Sequence, residues 1–124
     1  MIDIQYLASL FEDEVLVRKY LERFHEDMPK ILLQMRTSYQ DQNWSELSIL
    51  AHSYKCQLQY LNENDTAALA YELEKISGRG VLHPPRGVLH PPLPSPDSNA
   101  IGELITQLEN NLVNTLKEIQ QIIE

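Results

Sequence analysis

The stretch that decides the fold is residues 44–61, WSELSILAHSYKCQLQYL. Its apolar residues recur every three or four positions, which is the spacing of one face of an α-helix. They gather on one side because each residue of a helix advances by about 100°. The members of this core-facing side are Leu47, Leu50, Ala51, Tyr54, Leu58 and Leu61. The pattern predicts an amphipathic helix over 44–61.

His52 lies about 150° from the centre of that apolar side, so we expect it to point to solvent. Ser48, Cys56 and Gln59 share its face, and Lys55 flanks it one turn away. A single exposed histidine on a helix is in most cases an ordinary surface residue. The angle therefore marks His52 as accessible without giving it a function.

Two helices are predicted on the N-terminal side, a short one over 2–11 and a longer one over 14–39. Pro29 interrupts the longer segment, and the sequence leaves open whether it kinks one helix or begins another. Asn43 precedes the helix over 44–61, and Glu46 follows three residues later. This spacing is typical of a capping box.

Two further helices are predicted on the C-terminal side, one ending near Ile76 and one over 99–123. Residues 77–98 between them hold six of the seven prolines and three of the four glycines. They also contain the tandem repeat RGVLHPP, at 79–85 and 86–92. This composition is typical of a flexible, partly polyproline linker.

These segments predict one all-α domain over 1–124, because no stretch alternates apolar and polar residues as a strand would. Four substantial amphipathic helices favour an antiparallel four-helix bundle preceded by the short N-terminal helix. The Pro/Gly-rich segment 77–98 is then the long loop between the third and fourth bundle helices.

Charge and composition restrict the classes of binding partner and the cellular compartment that we expect. The net charge of −8 disfavours nucleic acid and anionic membrane surfaces, since both are negatively charged. No apolar run approaches the ~20 residues of a membrane span. The single cysteine allows no internal disulfide, and the N-terminus lacks the basic region of a signal peptide. We therefore expect a cytoplasmic protein.

The sequence AHSYKC at 51–56 resembles the signature of histidine-containing phosphotransfer (HPt) domains, which is Ala-His, two residues, then Lys-Gly. Residues 43–44, Asn-Trp, are similar to the Asp-Trp pair that begins the same helix in that family. Residues 69–70 and 73–74 are similar to its Leu-Cys and Leu-Glu pairs, and 20–29 to its second-helix pattern. The chain departs from the family at Cys56 and Asn62, where the family has glycines.

The resemblance implies a phosphorelay function in two-component signal transduction. His52 would accept a phosphoryl group from a phospho-aspartate on one receiver domain and pass it to another, without any kinase activity of its own. Lys55 would stabilise the phosphoryl charge, and Glu74 would orient the imidazole. Ser48, Cys56 and Gln59 would form the partner-docking face, where we interpret Cys56 as a steric replacement of glycine.

The expected partners are response-regulator receiver domains and a hybrid histidine kinase, with this chain as a monomer. We expect no metal site or cofactor in the chain itself, because the receiver would supply Mg²⁺. The histidines of the repeat, His83 and His90, are too few and too loosely held for a predicted metal site. The alternative function is a non-phosphorylated helical-bundle adaptor that binds signalling proteins.

Overall fold

The computed structural model describes residues 2–78 and 98–123, and within them the chain forms five helices and no strand. This confirms the all-α class. The helices are α1 (Ile4–Phe11), α2 (Glu14–Gln40), α3 (Trp44–Tyr60), α4 (Asn64–Gly78) and α5 (Ser98–Ile123). Among the described helices, none combines the length and the hydrophobicity that a membrane span requires.

Pro29 lies inside α2, which is one continuous helix of 27 residues. Proline removes one backbone hydrogen bond, a cost that normally ends or kinks a helix. Here Pro29 is exposed, while Phe24, Met28 and Leu32 on either side of it are buried against the core. Burial of this apolar stripe holds the helix together across the proline, which answers the question that the sequence left open.

Asn43 caps the N-terminus of α3, as its sequence position predicts. Its Oδ1 accepts a hydrogen bond from the Glu46 backbone N–H at 3.2 Å, and its Nδ2 donates to the Glu46 carboxylate at 3.0 Å. The backbone N–H of Asn43 donates to the carbonyl of Ser38 instead. The cap is therefore confirmed, but its second bond joins two side chains, unlike a standard capping box.

The turn between α3 and α4 depends on Asn62, which has a φ of 57°. Asparagine tolerates this left-handed conformation better than most residues. The Asn62 side chain also donates to the Asp3 carboxylate at 3.2 Å, which ties the turn to the start of α1. The tight turn leaves α3 and α4 packed side by side, and this packing builds the site described below.

The helices contact one another in a closed cycle: α2 packs on α3 and α5, and α4 packs on the same two helices, while α1 contacts α2. One core runs through all five. Its largest fully buried side chains are Tyr54, Phe24, Leu7, Leu21, Met35, Leu47, Leu58, Leu61, Leu73, Ile101, Ile105 and Leu108. At one end, the Tyr39 hydroxyl joins α2 to α5 by donating to the carbonyl of Ser98 at 3.0 Å.

The predicted linker boundaries need correction, because Ser77 and Gly78 belong to α4 and Ser98 belongs to α5. Ser77 is buried, and its hydroxyl donates to the carbonyl of Leu73 at 2.6 Å. This burial extends α4 beyond the point where sequence propensity predicted its end. The rest of the predicted loop, residues 79–97 with the heptad repeat, lies outside the described residues.

Tyr54 gives a first testable prediction. Its hydroxyl is buried in the core and meets no hydrogen-bond partner among the described residues, and burial raises the pKa of this phenol. Because an unpaired buried hydroxyl destabilises the folded state, Tyr54→Phe should leave the free energy of unfolding unchanged or raise it by up to about 1–2 kcal/mol. Urea denaturation measures this difference.

Tyr20→Phe is the matched control, since the Tyr20 hydroxyl donates to the Gln57 side chain at 2.7 Å. It should lower the free energy of unfolding by about 0.5–1.5 kcal/mol. A larger loss in Tyr54→Phe than in Tyr20→Phe would contradict the prediction.

Candidate functional site

His52 lies on the outward face of α3, with 55% of its side chain exposed. The opposite face of the same helix is buried through Leu47, Ala51, Tyr54 and Leu58. The outward orientation predicted from the helical angle is therefore confirmed. The imidazole stands on a rigid helix and is accessible to a large partner.

Glu74 approaches His52 from α4, with its Oε2 2.9 Å from the imidazole Nδ1. An ionised carboxylate can only accept hydrogen bonds, so Nδ1 carries the proton in the neutral ring. The lone pair is then on Nε2, the nitrogen that faces away from Glu74. Glu74 thus selects the tautomer in which the outer nitrogen is the nucleophile.

The second oxygen of Glu74 binds Lys55, whose Nζ lies 3.0 Å from Oε1. Only 14% of the Lys55 side chain is exposed. The sequence placed Lys55 beside His52 but gave no sign of this ion pair, because the pair forms only when α3 packs on α4. The Glu74 carboxylate therefore binds both His52 and Lys55.

The ionisation of Glu74 follows from these two partners. Partial burial raises the pKa of its carboxyl, but the hydrogen bonds from Lys55 and His52 outweigh this effect and hold the pKa below its usual value of 4.5. Glu74 is therefore an anion at neutral pH. This is the state that the Nδ1–H tautomer of His52 requires.

Tyr71 extends the site along α4 and was not singled out from the sequence. Its ring centroid lies 5.0 Å from Lys55 Nζ and 4.9 Å from Lys75 Nζ, so two cations contact one aromatic ring. Lys75 also pairs with the Glu72 carboxylate at 3.1 Å. Both lysines near the ring therefore form ion pairs with carboxylates of α4, Lys55 with Glu74 and Lys75 with Glu72.

The three residues predicted to form a docking face have different surroundings. Cys56 is closest to the imidazole, with its Sγ 3.7 Å from His52 Nε2. Ser48 is half-buried, and its hydroxyl donates to the backbone carbonyl of Glu74 at 3.2 Å. Gln59 is exposed. Cys56 therefore borders the outer nitrogen, whereas Ser48 is engaged in helix packing.

A second prediction concerns the pH dependence of stability. Because the folded-state pKa of Glu74 is lowered, its interactions stabilise the fold fully above the unfolded value of about 4.5. This contribution is lost as the pH falls through the lower, folded-state pKa. The difference in unfolding free energy between the wild type and Glu74→Gln should therefore shrink as the pH falls below about 4.5.

Chemical denaturation of both proteins between pH 3 and pH 7 measures this difference. Glu72→Gln is the control, because its side chain is 47% exposed and pairs only with Lys75 among the described residues. A difference that stays constant or grows as the pH falls below about 4.5 would contradict the assignment.

No group of three or more His, Cys, Asp or Glu side chains with metal-binding geometry occurs within 2–78 and 98–123. The chemistry available at the site is that of an exposed imidazole whose Nδ1 is hydrogen-bonded to the Glu74 carboxylate. Comparisons of the chain with protein-family models, with curated proteins and with solved structures gave no match.

Proposed function

We propose that this chain is a histidine phosphotransfer protein of a two-component phosphorelay. His52 accepts a phosphoryl group from the phospho-aspartate of one response-regulator receiver domain and donates it to another. The observation that carries the proposal is the hydrogen bond of His52 Nδ1 to Glu74 at 2.9 Å, which puts the lone pair of the exposed ring on Nε2.

The transfer needs one nucleophile and one leaving group in line. Nε2 forms a bond to phosphorus while the bond between phosphorus and the aspartate oxygen breaks, and the aspartate leaves as a carboxylate. The ring gains positive charge in this step, and the Glu74 carboxylate next to Nδ1–H stabilises that charge. The Mg²⁺ needed to neutralise the phosphoryl oxygens is bound by the receiver.

Lys55 has a supporting role in this proposal. Its Nζ lies 3.0 Å from Glu74, so it offsets the negative charge beside the imidazole before any phosphoryl group arrives. Once His52 carries a phosphoryl group, the same ammonium group can share its donors between Glu74 and the phosphoryl oxygens. Lys55 therefore reduces the negative charge around the imidazole, both before and after phosphorylation of His52.

The architecture that we propose for this function is an antiparallel four-helix bundle of α2, α3, α4 and α5, with α1 covering one end. The closed cycle of contacts between these helices supports it. Hybrid histidine kinases and receiver domains are the proposed partners, and we propose that the chain meets them as a cytoplasmic monomer.

Phosphate incorporation tests the proposed function. The chain is incubated with phosphoramidate, and separately with a phosphorylated receiver domain and Mg²⁺. We expect an acid-labile, base-stable phosphate, and mass spectrometry should map it to the peptide that contains His52. The absence of such a phosphate with both donors, or its location on His25, would overturn the proposal.

A further inference from the structure

Cys56 and His52 present two metal-binding atoms side by side on α3. Residues four apart lie on the same face of a helix, one turn from each other. Cys56 Sγ and His52 Nε2 are 3.7 Å apart on the exposed side of the helix. Thiolate sulfur and imidazole nitrogen are the two ligand types that Zn²⁺ prefers.

The separation of these atoms fits one zinc ion. Zinc binds imidazole nitrogen at about 2.0–2.1 Å and thiolate sulfur at about 2.3 Å in tetrahedral geometry. These bond lengths and angles place the two ligand atoms about 3.5 Å apart. The observed 3.7 Å is within a few tenths of an ångström of that value.

Glu74 supplies the carboxylate that accepts a hydrogen bond from the metal-binding histidine of such a site. Zinc-bound histidines almost always donate their second N–H to a carboxylate, a carbonyl or water, which fixes the tautomer and makes the ligand more basic. His52 already donates Nδ1–H to Glu74 at 2.9 Å, so Nε2 is the available ligand atom. The imidazole is therefore arranged for metal binding before a metal arrives.

We propose that His52 Nε2 and Cys56 Sγ form a two-residue binding site for Zn²⁺, with water as the remaining ligands. On binding, the Cys56 thiol loses its proton to solvent, and the metal takes up the Nε2 lone pair. That lone pair is the one that attacks phosphorus, so bound zinc and a phosphoryl group exclude each other at His52. This last step rests on the proposed function, whereas the metal site does not.

The site differs from the sequence-based expectation that the chain holds no metal ligand. That expectation treated Cys56 as a small replacement for glycine on the face of His52, and it did not include the distance between the two side chains. The structure brings the thiol to the imidazole nitrogen.

Cobalt titration tests the metal site, because Co²⁺ bound to a thiolate gives a charge-transfer absorption in the near ultraviolet. Cys56 is the only cysteine of the chain, so this band reports on Cys56 alone. The protein is used metal-free and reduced, with His83→Gln and His90→Gln to remove the repeat histidines. We expect one Co²⁺ per chain, displaced by Zn²⁺ and unaffected by Mg²⁺.

Three variants in the same background separate a chelating pair from a single ligand. Cys56→Ser should abolish the band, and His52→Gln should weaken Co²⁺ binding at least tenfold. The double variant Cys56→Ser with Gln59→Cys keeps one thiol on the same helix face but beyond reach of the imidazole, and should bind no better than His52→Gln. Equal binding in the wild type and His52→Gln, or no band in the wild type, would overturn the metal site.

Phosphorylation by phosphoramidate tests the exclusion, since this donor needs no Mg²⁺-bearing receiver. Saturating Zn²⁺ should slow phosphate uptake by the wild type about tenfold or more, with recovery on adding a chelator, and should leave Cys56→Ser nearly unaffected. Equal inhibition of both proteins would refute the exclusion. If metal-free protein takes up phosphate neither from phosphoramidate nor from a phosphorylated receiver, the proposed function fails, while the cobalt titration still decides the metal site.

Discussion

His52→Gln is expected to abolish phosphate acceptance from both phosphoramidate and a phosphorylated receiver. Glutamine lacks a nucleophilic nitrogen, because the lone pair of its amide is delocalised into the carbonyl. The fold should be retained, since 55% of the His52 side chain is exposed and substitutions at exposed positions typically change stability by less than about 0.5 kcal/mol. Circular dichroism and thermal unfolding measure the fold, and acid-labile phosphate measures the function.

His25→Gln is the matched control, because His25 is a half-buried histidine on α2. It should accept phosphate at the rate of the wild type. If His52→Gln still incorporates acid-labile phosphate, another residue is the acceptor. If it unfolds, His52 has a structural role that its exposure does not predict.

Glu74→Gln is expected to slow phosphorylation of His52 by about 10- to 100-fold, the range found when the carboxylate behind a metal-bound histidine is removed. The amide of glutamine can donate to Nδ1 as well as accept from it, so the imidazole is no longer held in the tautomer with a free Nε2. It also carries no charge to stabilise the ring as the nitrogen–phosphorus bond forms. Initial rates with phosphoramidate measure the effect.

Two variants separate orientation from general charge. Glu72→Gln removes one negative charge from the same helix but leaves His52 and its partner intact, so its rate should stay within about twofold of the wild type. Lys55→Met removes the ion pair with Glu74 but keeps the hydrogen bond from His52 to Glu74 possible. Its phosphorylation rate therefore measures the effect of the Lys55 charge separately from the orientation of the imidazole. An equal loss in Glu72→Gln and Glu74→Gln would show that only net charge matters.

The sequence predicted the helices and the exposure of His52 because both depend on local periodicity. The apolar stripe of α3 determines which side is buried, and His52 falls opposite it. Asn43 was recognised as a cap because its side chain acts within one turn of the chain. Asn62 stands where the HPt pattern has a glycine, and its φ of 57° is a conformation that asparagine tolerates better than most residues.

The interactions between helices could not be predicted in the same way. The shared use of Glu74 by Lys55 and His52 depends on the register between α3 and α4, which no single stretch of sequence specifies. The end of α4 was placed too early for a related reason. Glycine and the prolines that follow it disfavour a helix, but the burial of Ser77 outweighs this local preference.

The two lysines around Tyr71 affect the electrostatic repulsion that a negatively charged partner experiences as it approaches the site. Lys55 and Lys75 are each matched by one carboxylate, Glu74 and Glu72, so these four groups cancel in charge. The chain as a whole carries a net charge of −8, whereas these two ion pairs around Tyr71 add no net charge. Salt screens charges over about 8 Å at physiological ionic strength, so acids farther than this from His52 repel a negatively charged partner only weakly.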